Sequence, residues 1–314
     1  MKNKVSKFIL TVLLLLAVFI WTEIVKSPSG SDNNCHIFFL NVGQGDSELI
    51  QKGDYQILID GGPDDKVLSE LGKAMPVSDR KIDVLILTHP HADHLTGINQ
   101  ILDRYEIGKI YTTGVIFTSN GYLEFLDKVN SPAGGKKIDL EVPDLEEKFT
   151  PFENGELTFL WPGKKFEQKS AEDNNLNNTS EVARFCYFDH CTLFTGDIQI
   201  DEQATMFNYY NCHSEANAEE SQRSFASAQE DTCNIFQSEI LKIPHHGSNN
   251  GTDQTLLDFV KPKTAIIEVG VDNKFGHPHT ATLDLLQNAN IRYYRTDRDG
   301  TIEFVINQDG TMRK

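Results

Sequence analysis

The sequence predicts an α/β domain of two related halves, preceded by one N-terminal apolar helix. Three observations point there. Short β-branched runs alternate with helical patterns from residue 35 onwards, as in sheets covered by helices. Several of those runs end abruptly in imidazoles and carboxylates, at 89–94, at Asp197 and at 245–246. A basic segment and then an apolar run open the chain. With 314 residues, the expected organisation is an anchor and one large domain.

Lys2, Lys4 and Lys7 precede the apolar run at 8–21. Residues 1–26 therefore read as a signal anchor or transmembrane helix, and 27–34 as a linker. Extended through Val25, the run has about 18 residues, near the lower limit for a bilayer span. The lysines favour a cytoplasmic N-terminus. No small-residue cleavage site directly follows, so an uncleaved anchor is favoured over a cleaved, secreted form. Either places the domain, 35–314, outside the cytoplasm.

Strands are expected at 36–42, 47–51 and 56–60, with glycine turns between them. Asp46 and Asp60 each lie beside such a turn. Asp60 reads equally as a turn aspartate or as a carboxylate that orients a metal-bound histidine. A helix at 66–75 leads to a buried strand at 84–87. Pro90 stops that strand, and His89, His91, Asp93 and His94 follow on a turn, ahead of a helix starting near Leu95. Further strands are expected at 109–112, from 140 and at 157–161, with a helix at 122–129. A polar loop at 164–178 leads into a hairpin, 182–187 and 191–194, turning at Asp189-His190. Asp197 closes that hairpin. Residues 212–233 are rich in Ser, Glu and Ala, lack an apolar stripe and read as a disordered insertion. They resemble translated interspersed genomic repeats, which implies no catalytic part and discounts His213. A strand at 238–243 then ends in Pro244-His245-His246-Gly247-Ser248. A helix at 254–260, a strand at 264–269, a loop holding His277 and His279, a helix at 280–287 and strands at 291–295 and 301–306 complete the chain.

Polar groups at the ends of buried strands gain nothing from packing. A dinuclear metal site accounts for them together. Imidazole and carboxylate ligands suit zinc, manganese or iron. His89 and His91 are assigned to one ion, Asp93 and His94 to the other, with Asp197 bridging. Spacing does not choose between His245 and His246 for the second ion; His245 is the preferred assignment. Asp93, His246 and His277 are the candidate catalytic residues. Asp46, Asp60, Asn178, Ser180, Ser248 and His279 are candidates for supporting the ligands or touching substrate. Two ions about 3.5–4 Å apart activate a water and stabilise charge on a carbonyl or phosphoryl oxygen, so the reaction class is metal-assisted hydrolysis.

His89-Pro90-His91-Ala92-Asp93-His94 resembles the HxHxDH signature of the metallo-β-lactamase superfamily, and Thr195-Gly196-Asp197 resembles its bridging aspartate. Asn41-Val42-Gly43-Gln44-Gly45-Asp46, Asn177-Asn178 with Ser180, Pro244 to Ser248 and Gly276-His277-Pro278-His279 further resemble the hydrolase domain of ComEC-like competence proteins. The resemblance implies a four-layer αββα sandwich, two divalent ions, zinc or manganese, and nuclease action on the DNA strand that is not imported. A DNA-uptake machinery is the implied partner. One short apolar segment cannot itself be the membrane channel of such proteins. Between His94 and Asp197 the only histidine is His190, in the expected turn. The first ion thus lacks an obvious third histidine; Ser180 or an asparagine at 177–178 is the available substitute, or the site is weaker there.

The formal charge of −17 opposes non-specific binding of a polyanion. Lys242, Lys274, Arg292 and Arg295 are the basic side chains available to a phosphate. None of the five cysteines, Cys35, Cys186, Cys191, Cys212 and Cys233, forms a CxxC pair, which argues against a cysteine-held zinc. Cys186 and Cys191, in apolar runs, are expected as buried thiols, although one bridge has room to form. The leading expectation is a membrane-anchored phosphodiesterase acting on single-stranded DNA. The alternatives are a hydrolase of the same fold acting on a small ester, cyclic phosphodiester or β-lactam, and a non-catalytic binding module. No oligomeric state is indicated.

Overall fold

Pleating decides the layers. Strand β1 (Cys35–Phe39) sends Cys35, Ile37 and Phe39 to one apolar cluster and Phe38 to another, because alternate side chains leave a strand on opposite faces. The computed structural model describes residues 9–19, 32–76, 79–131, 135, 137–210 and 234–314. Strands β2 (Glu48–Lys52), β3 (Tyr55–Ile59), β4 (Lys81–Leu87), β5 (Glu106–Thr112) and β6 (Asp139–Glu141) extend the sheet that β1 starts. A second sheet contains β7 (Lys148–Phe149), β8 (Gly155–Trp161), β9 (Val182–Tyr187), β10 (His190–Phe194), β11 (Ile240–Lys242), β12 (Thr264–Ile267) and β13 (Arg292–Arg295). β14 (Ile302–Ile306) and β15 (Met312–Arg313) return to the first sheet beside β1.

The sheets have related halves. From β3 to β6 the first sheet is parallel, and from β10 to β13 so is the second. Their remaining strands pair antiparallel. Between the sheets lie Ile37, Phe39, Ile50, Ile57, Ile86, Phe159, Phe185, Phe194, Ile240 and Ile266. The outer face of the first sheet is covered by α1 (Lys66–Ala74), α2 (Ala92–Leu102) and α3 (Asn120–Asn130), through residues such as Leu71, Ile98 and Phe125. The second sheet is covered by α4 (Ile200–Tyr209), α5 (Gln254–Val260) and α6 (Thr280–Asn288), through Met206, Leu257 and Leu286. The result is the expected αββα order of layers.

Several expectations change. Helix α2 begins at Ala92, so Asp93 and His94 sit on its first turn rather than on the preceding loop. There the Asp93 carboxylate also meets the positive end of the helix dipole. Helix α4 was not signalled in the sequence pattern. The polar loop at 164–178 contains the short 3-10 helix Asp173–Thr179. Cys186 and Cys191 are not free thiols: they form a disulfide, as direct cross-strand partners on β9 and β10. Cys35 is a buried free thiol.

Residues 9–19 are helical, with exposed apolar side chains. No helix among the described residues is long and apolar enough to cross a membrane. The rest of the expected anchor, 1–8 and 20–26, lies outside the described residues, as does the expected insertion at 212–233.

Candidate metal centre

Four loops meet at one rim of the sandwich, each leaving the end of a strand. The loop after β3 carries Asp60, that after β4 carries His89 and His91 and runs into the first turn of α2 with Asp93 and His94, that after β10 carries Asp197, and that after β11 carries His245 and His246. Two close backbone approaches lock them together. A Cβ on Gly97 would stand 1.8 Å from the Gly61 oxygen, and one on Gly45 would stand 2.1 Å from the Asp93 oxygen. Only glycine lets α2 settle this tightly on the loops carrying Asp60 and Asp46.

His94 is fully buried, and its Nδ1 lies 2.7 Å from Asp60 Oδ2. Asp60 is held in turn by the Thr88 amide at 2.8 Å and the Thr88 hydroxyl at 2.6 Å. His94 Nε2 faces Asp197 Oδ2 at 3.3 Å. His246 faces the same oxygen with Nε2 at 3.6 Å, and Asp93 Oδ2 at 3.4 Å. Its Nδ1 is 2.9 Å from the Glu268 carbonyl oxygen and 3.1 Å from Asp46 Oδ1. On the other flank, His89 Nε2 and His91 Nδ1 face each other at 3.0 Å. His89, His94 and Asp197, and likewise Asp93, His94 and His246, each offer ligand atoms within 4.8 Å of one another.

The donor set fits divalent metal. Nε2 of His94 and Nε2 of His246 are buried with no hydrogen-bond partner. They point at carboxylate oxygens 3.3 to 3.6 Å away, with their Nδ1 atoms held from behind. Imidazoles fixed in this way are typical metal ligands. The field there favours positive charge. Burial alone would lower the basicity of His94, but Asp197, Asp60 and Asp46 together raise it well above the usual histidine range. The same competition leaves His246 at about 10, with Asp197 and Asp46 overcoming burial. His89, by contrast, is driven well down by burial and by His94 beside it.

The histidine pair after β11 shows which member faces inward. His245 and His246 both have left-handed backbones, with φ of 51° and 54°. Non-glycine residues held there cost about 1–3 kcal/mol each. The kink turns His246 into the rim, where it is buried. His245, given to the second ion in the sequence reading, instead lies 3.1 Å from Asn177 Nδ2 by its Nε2 and 3.1 Å from Asn250 Oδ1 by its Nδ1. Asn177, not Asn178, reaches the histidines; Asn178 faces Asp201 and the Gln199 amide. Ser180 bridges two loops: its Oγ accepts from the Asp197 amide at 3.0 Å and lies 3.3 Å from His89 Nδ1.

His277 stands at the rim, its ring 5.7 Å from that of His245 and 6.2 Å from that of His246. Burial and the neighbouring histidines hold it near 4, so it is neutral at pH 7. His279 precedes α6 and accepts from the Asn249 amide at 3.0 Å. Ser248 ends the histidine turn, and its backbone oxygen lies 3.4 Å from the Thr282 hydroxyl.

Two of the basic residues available to a phosphate in the sequence are buried. Lys242 is fully buried, bonded to Asp46 and, at 2.8 Å, to the Gly196 oxygen. Arg295 is 8 % exposed and paired with Asp297. The sequence did carry a signal for Lys242. It shares the parity of Ile240, which faces the inter-sheet core.

The model of the metallo-beta-lactamase superfamily matches residues 40–270. ComE operon protein 3 of Bacillus subtilis (strain 168) is 25% identical over 290 residues, covering 84% of this chain and 32% of that protein. Competence protein ComA of Neisseria gonorrhoeae is 24% identical over 298 residues, covering 95% and 36%. The chain thus spans about a third of the length of these curated relatives. Among solved structures, the metallo-beta-lactamase fold protein YhfI from Bacillus subtilis aligns with a TM-score of 0.49 at 14% identity, over 86% of this chain and 99% of that one. With the HxHxDH ligands on one rim and the family match across most of its length, this chain belongs to the metallo-β-lactamase superfamily of metal-dependent hydrolases and has competence proteins of the ComEC-like type among its relatives.

Proposed function

We propose that the chain is a metal-dependent phosphodiesterase that cleaves single-stranded DNA outside the cytoplasm. The observation that carries this reading is the similarity to two competence proteins, which runs through the whole ligand set. Bound divalent ions would supply an acidified water and stabilise charge on a phosphoryl oxygen. The protein's part is positioning. Asp60 and the Glu268 carbonyl hold His94 and His246 by Nδ1, which leaves Nε2 free to ligate. Asp93 and Asp197 supply the carboxylate ligands. Neutral His277, at the rim, orients a phosphate oxygen by hydrogen bond. Zinc and manganese both suit this donor set.

The Cys186–Cys191 disulfide supports an oxidising compartment, in line with the basic-then-apolar N-terminus acting as a membrane anchor. A DNA-uptake machinery is the partner this implies. One observation favours a second reading, hydrolysis of a small ester, cyclic phosphodiester or β-lactam. The net charge of −17, with Lys242 and Arg295 buried, leaves little positive surface for a long polyanion. A binding module without catalysis fits less well, because His89, His91, Asp93, His94 and Asp197 are all present.

The test takes the full chain, counts bound metal, and assays single-stranded DNA hydrolysis with zinc, manganese or neither, using Asp197→Ala as control. Metal-dependent cleavage that the variant loses supports the nuclease. Bound metal without DNA cleavage moves the substrate to small esters and β-lactams. No metal uptake at all favours the binding module.

A further inference from the structure

The layer between the sheets changes character at its rim end. Ile50, Ile240 and Ile266 face the apolar core. One pleat step further along the same faces stand Glu48, Lys242 and Glu268, all fully buried. Asp46 joins them, so that Asp46, Glu48 and Glu268 offer oxygens within 4.8 Å of one another. Hard oxygen donors so disposed are themselves a cation pocket. The Lys242 ammonium bonds to Asp46 and the Gly196 oxygen and stands 3.6 Å from Asp197 Oδ1. The other oxygen of Asp197 faces His94 and His246. Asp46 Oδ1 lies beside His246 Nδ1.

We propose that Lys242 is an internal cation that positions Asp197 and Asp46 and keeps divalent ions out of the carboxylate pocket beneath the histidines. Two charge arguments support it. The two carboxylates that face the ammonium, Asp46 and Asp197, are both buried, and a buried charge without a partner is strongly unfavourable. A fixed ammonium balances part of that charge with no need for metal, so the ligand loops are ordered before an ion arrives. Lys242 also faces the far oxygen of Asp197 at 3.6 Å, while the near oxygen lies on the histidine side. Without the ammonium, the pocket would compete for the ions and draw Asp46 away from His246. Lys242 is thus a positioning residue: it acts through Asp197 and Asp46 and touches no substrate.

The inference rests on the reading of the rim as a metal centre, not on DNA as the substrate. The test therefore measures metal binding by the full chain as wild type, Lys242→Met and Lys242→Met/Asp46→Asn. Ions per chain are counted at saturating manganese and zinc, affinities are titrated, and melting is followed with and without metal. Lys242→Met is expected to bind the first ion about ten- to a hundredfold more weakly and to take up one more manganese per chain than wild type. The double variant, with one pocket carboxylate removed, loses the extra ion and keeps the weaker affinity. A purely structural role would lower the melting temperature and leave the ion count and affinity per folded chain unchanged, which overturns the proposal. If Lys242→Met does not fold, wild-type affinity in the charge-balanced double variant overturns it equally. A wild-type chain that takes up no metal overturns the metal-centre reading itself, and the Lys242 proposal with it.

Discussion

The inter-sheet layer is one continuous space with two chemistries. At its centre Phe159, Phe185, Phe194, Ile240 and Ile266 are apolar and buried. At its rim Asp46, Glu48, Asp197, Lys242 and Glu268 are as deeply buried and charged or acidic. The apolar part is stabilised by leaving water, at about 25 cal/mol per Å². The ionic part gains nothing of that kind, and burying it is unfavourable unless each charge finds a partner. Burial has already pushed Glu48 to about 8 and Glu268 well above the carboxylate range, with Asp46 adding to both. The apolar centre thus sustains the fold, whereas the ionic rim is sustained by it. Variants in the two regions should therefore separate stability from metal chemistry.

The largest effect is expected at the rim. Asp197→Ala should reduce hydrolysis to background and diminish metal uptake, while circular dichroism shows a folded chain. Activity near wild type in that variant would remove Asp197 from the site. At the apolar centre Phe185→Ala should do the reverse. It should cost about 3–5 kcal/mol of stability, read by denaturant titration, yet leave metal bound per folded chain unchanged. If Phe185→Ala altered metal affinity as strongly as Asp197→Ala, the two regions would not be separable.

A smaller effect is expected at the edge of that layer. The Cys186–Cys191 bridge closes a short loop, with a sequence separation of 5. Chain entropy then limits its contribution to about 2 kcal/mol. Cys186→Ser/Cys191→Ser should lose no more than that and keep its metal. A loss far above it would mean that the hairpin, and not the bulk of the core, limits stability.

The fold and the ligand cluster were legible because each depends on short-range pattern. Val84 to Leu87 announces a buried strand, and His89 to His94 the loop at its end. What was misread depends on one-residue differences in register or backbone state. A hairpin turn at Asp189-His190 would leave Cys186 and Cys191 out of register. The actual turn, one residue earlier, pairs Tyr187 with His190 and so Cys186 with Cys191. His245 and His246 are equivalent by spacing; two consecutive left-handed residues decide which one enters the rim. Lys242 looks available to a phosphate in the sequence because lysine is normally exposed. Its place in an inward-facing alternation argued otherwise, and its partners Asp46 and Asp197 come from distant parts of the chain.

The smallest effect lies on an ionic cluster that water does reach, and it completes the contrast with Lys242. On the outer face of β1, His36 is 2.7 Å from Glu303 Oε1 and 2.7 Å from Asp32 Oδ1. Partial burial works against its positive form, yet Glu303 and Asp32 prevail and raise its pKa above the usual histidine value. The sign follows. A group whose pKa is higher in the folded state stabilises that state below its unfolded pKa, about 6.5 for histidine. That contribution disappears as pH rises through the folded value. Both carboxylates are more than 40 % exposed, so solvent screening keeps the contribution below about 1 kcal/mol. His36→Gln should therefore be slightly less stable than wild type at pH 6, with the gap closing as pH rises through the raised folded value. A gap that persisted or widened at high pH would show that His36 acts by packing on Phe38, 5.9 Å away, and not by charge. Metal content should be unaffected across that range at this site, since the exposed cluster shares no ligand with the rim.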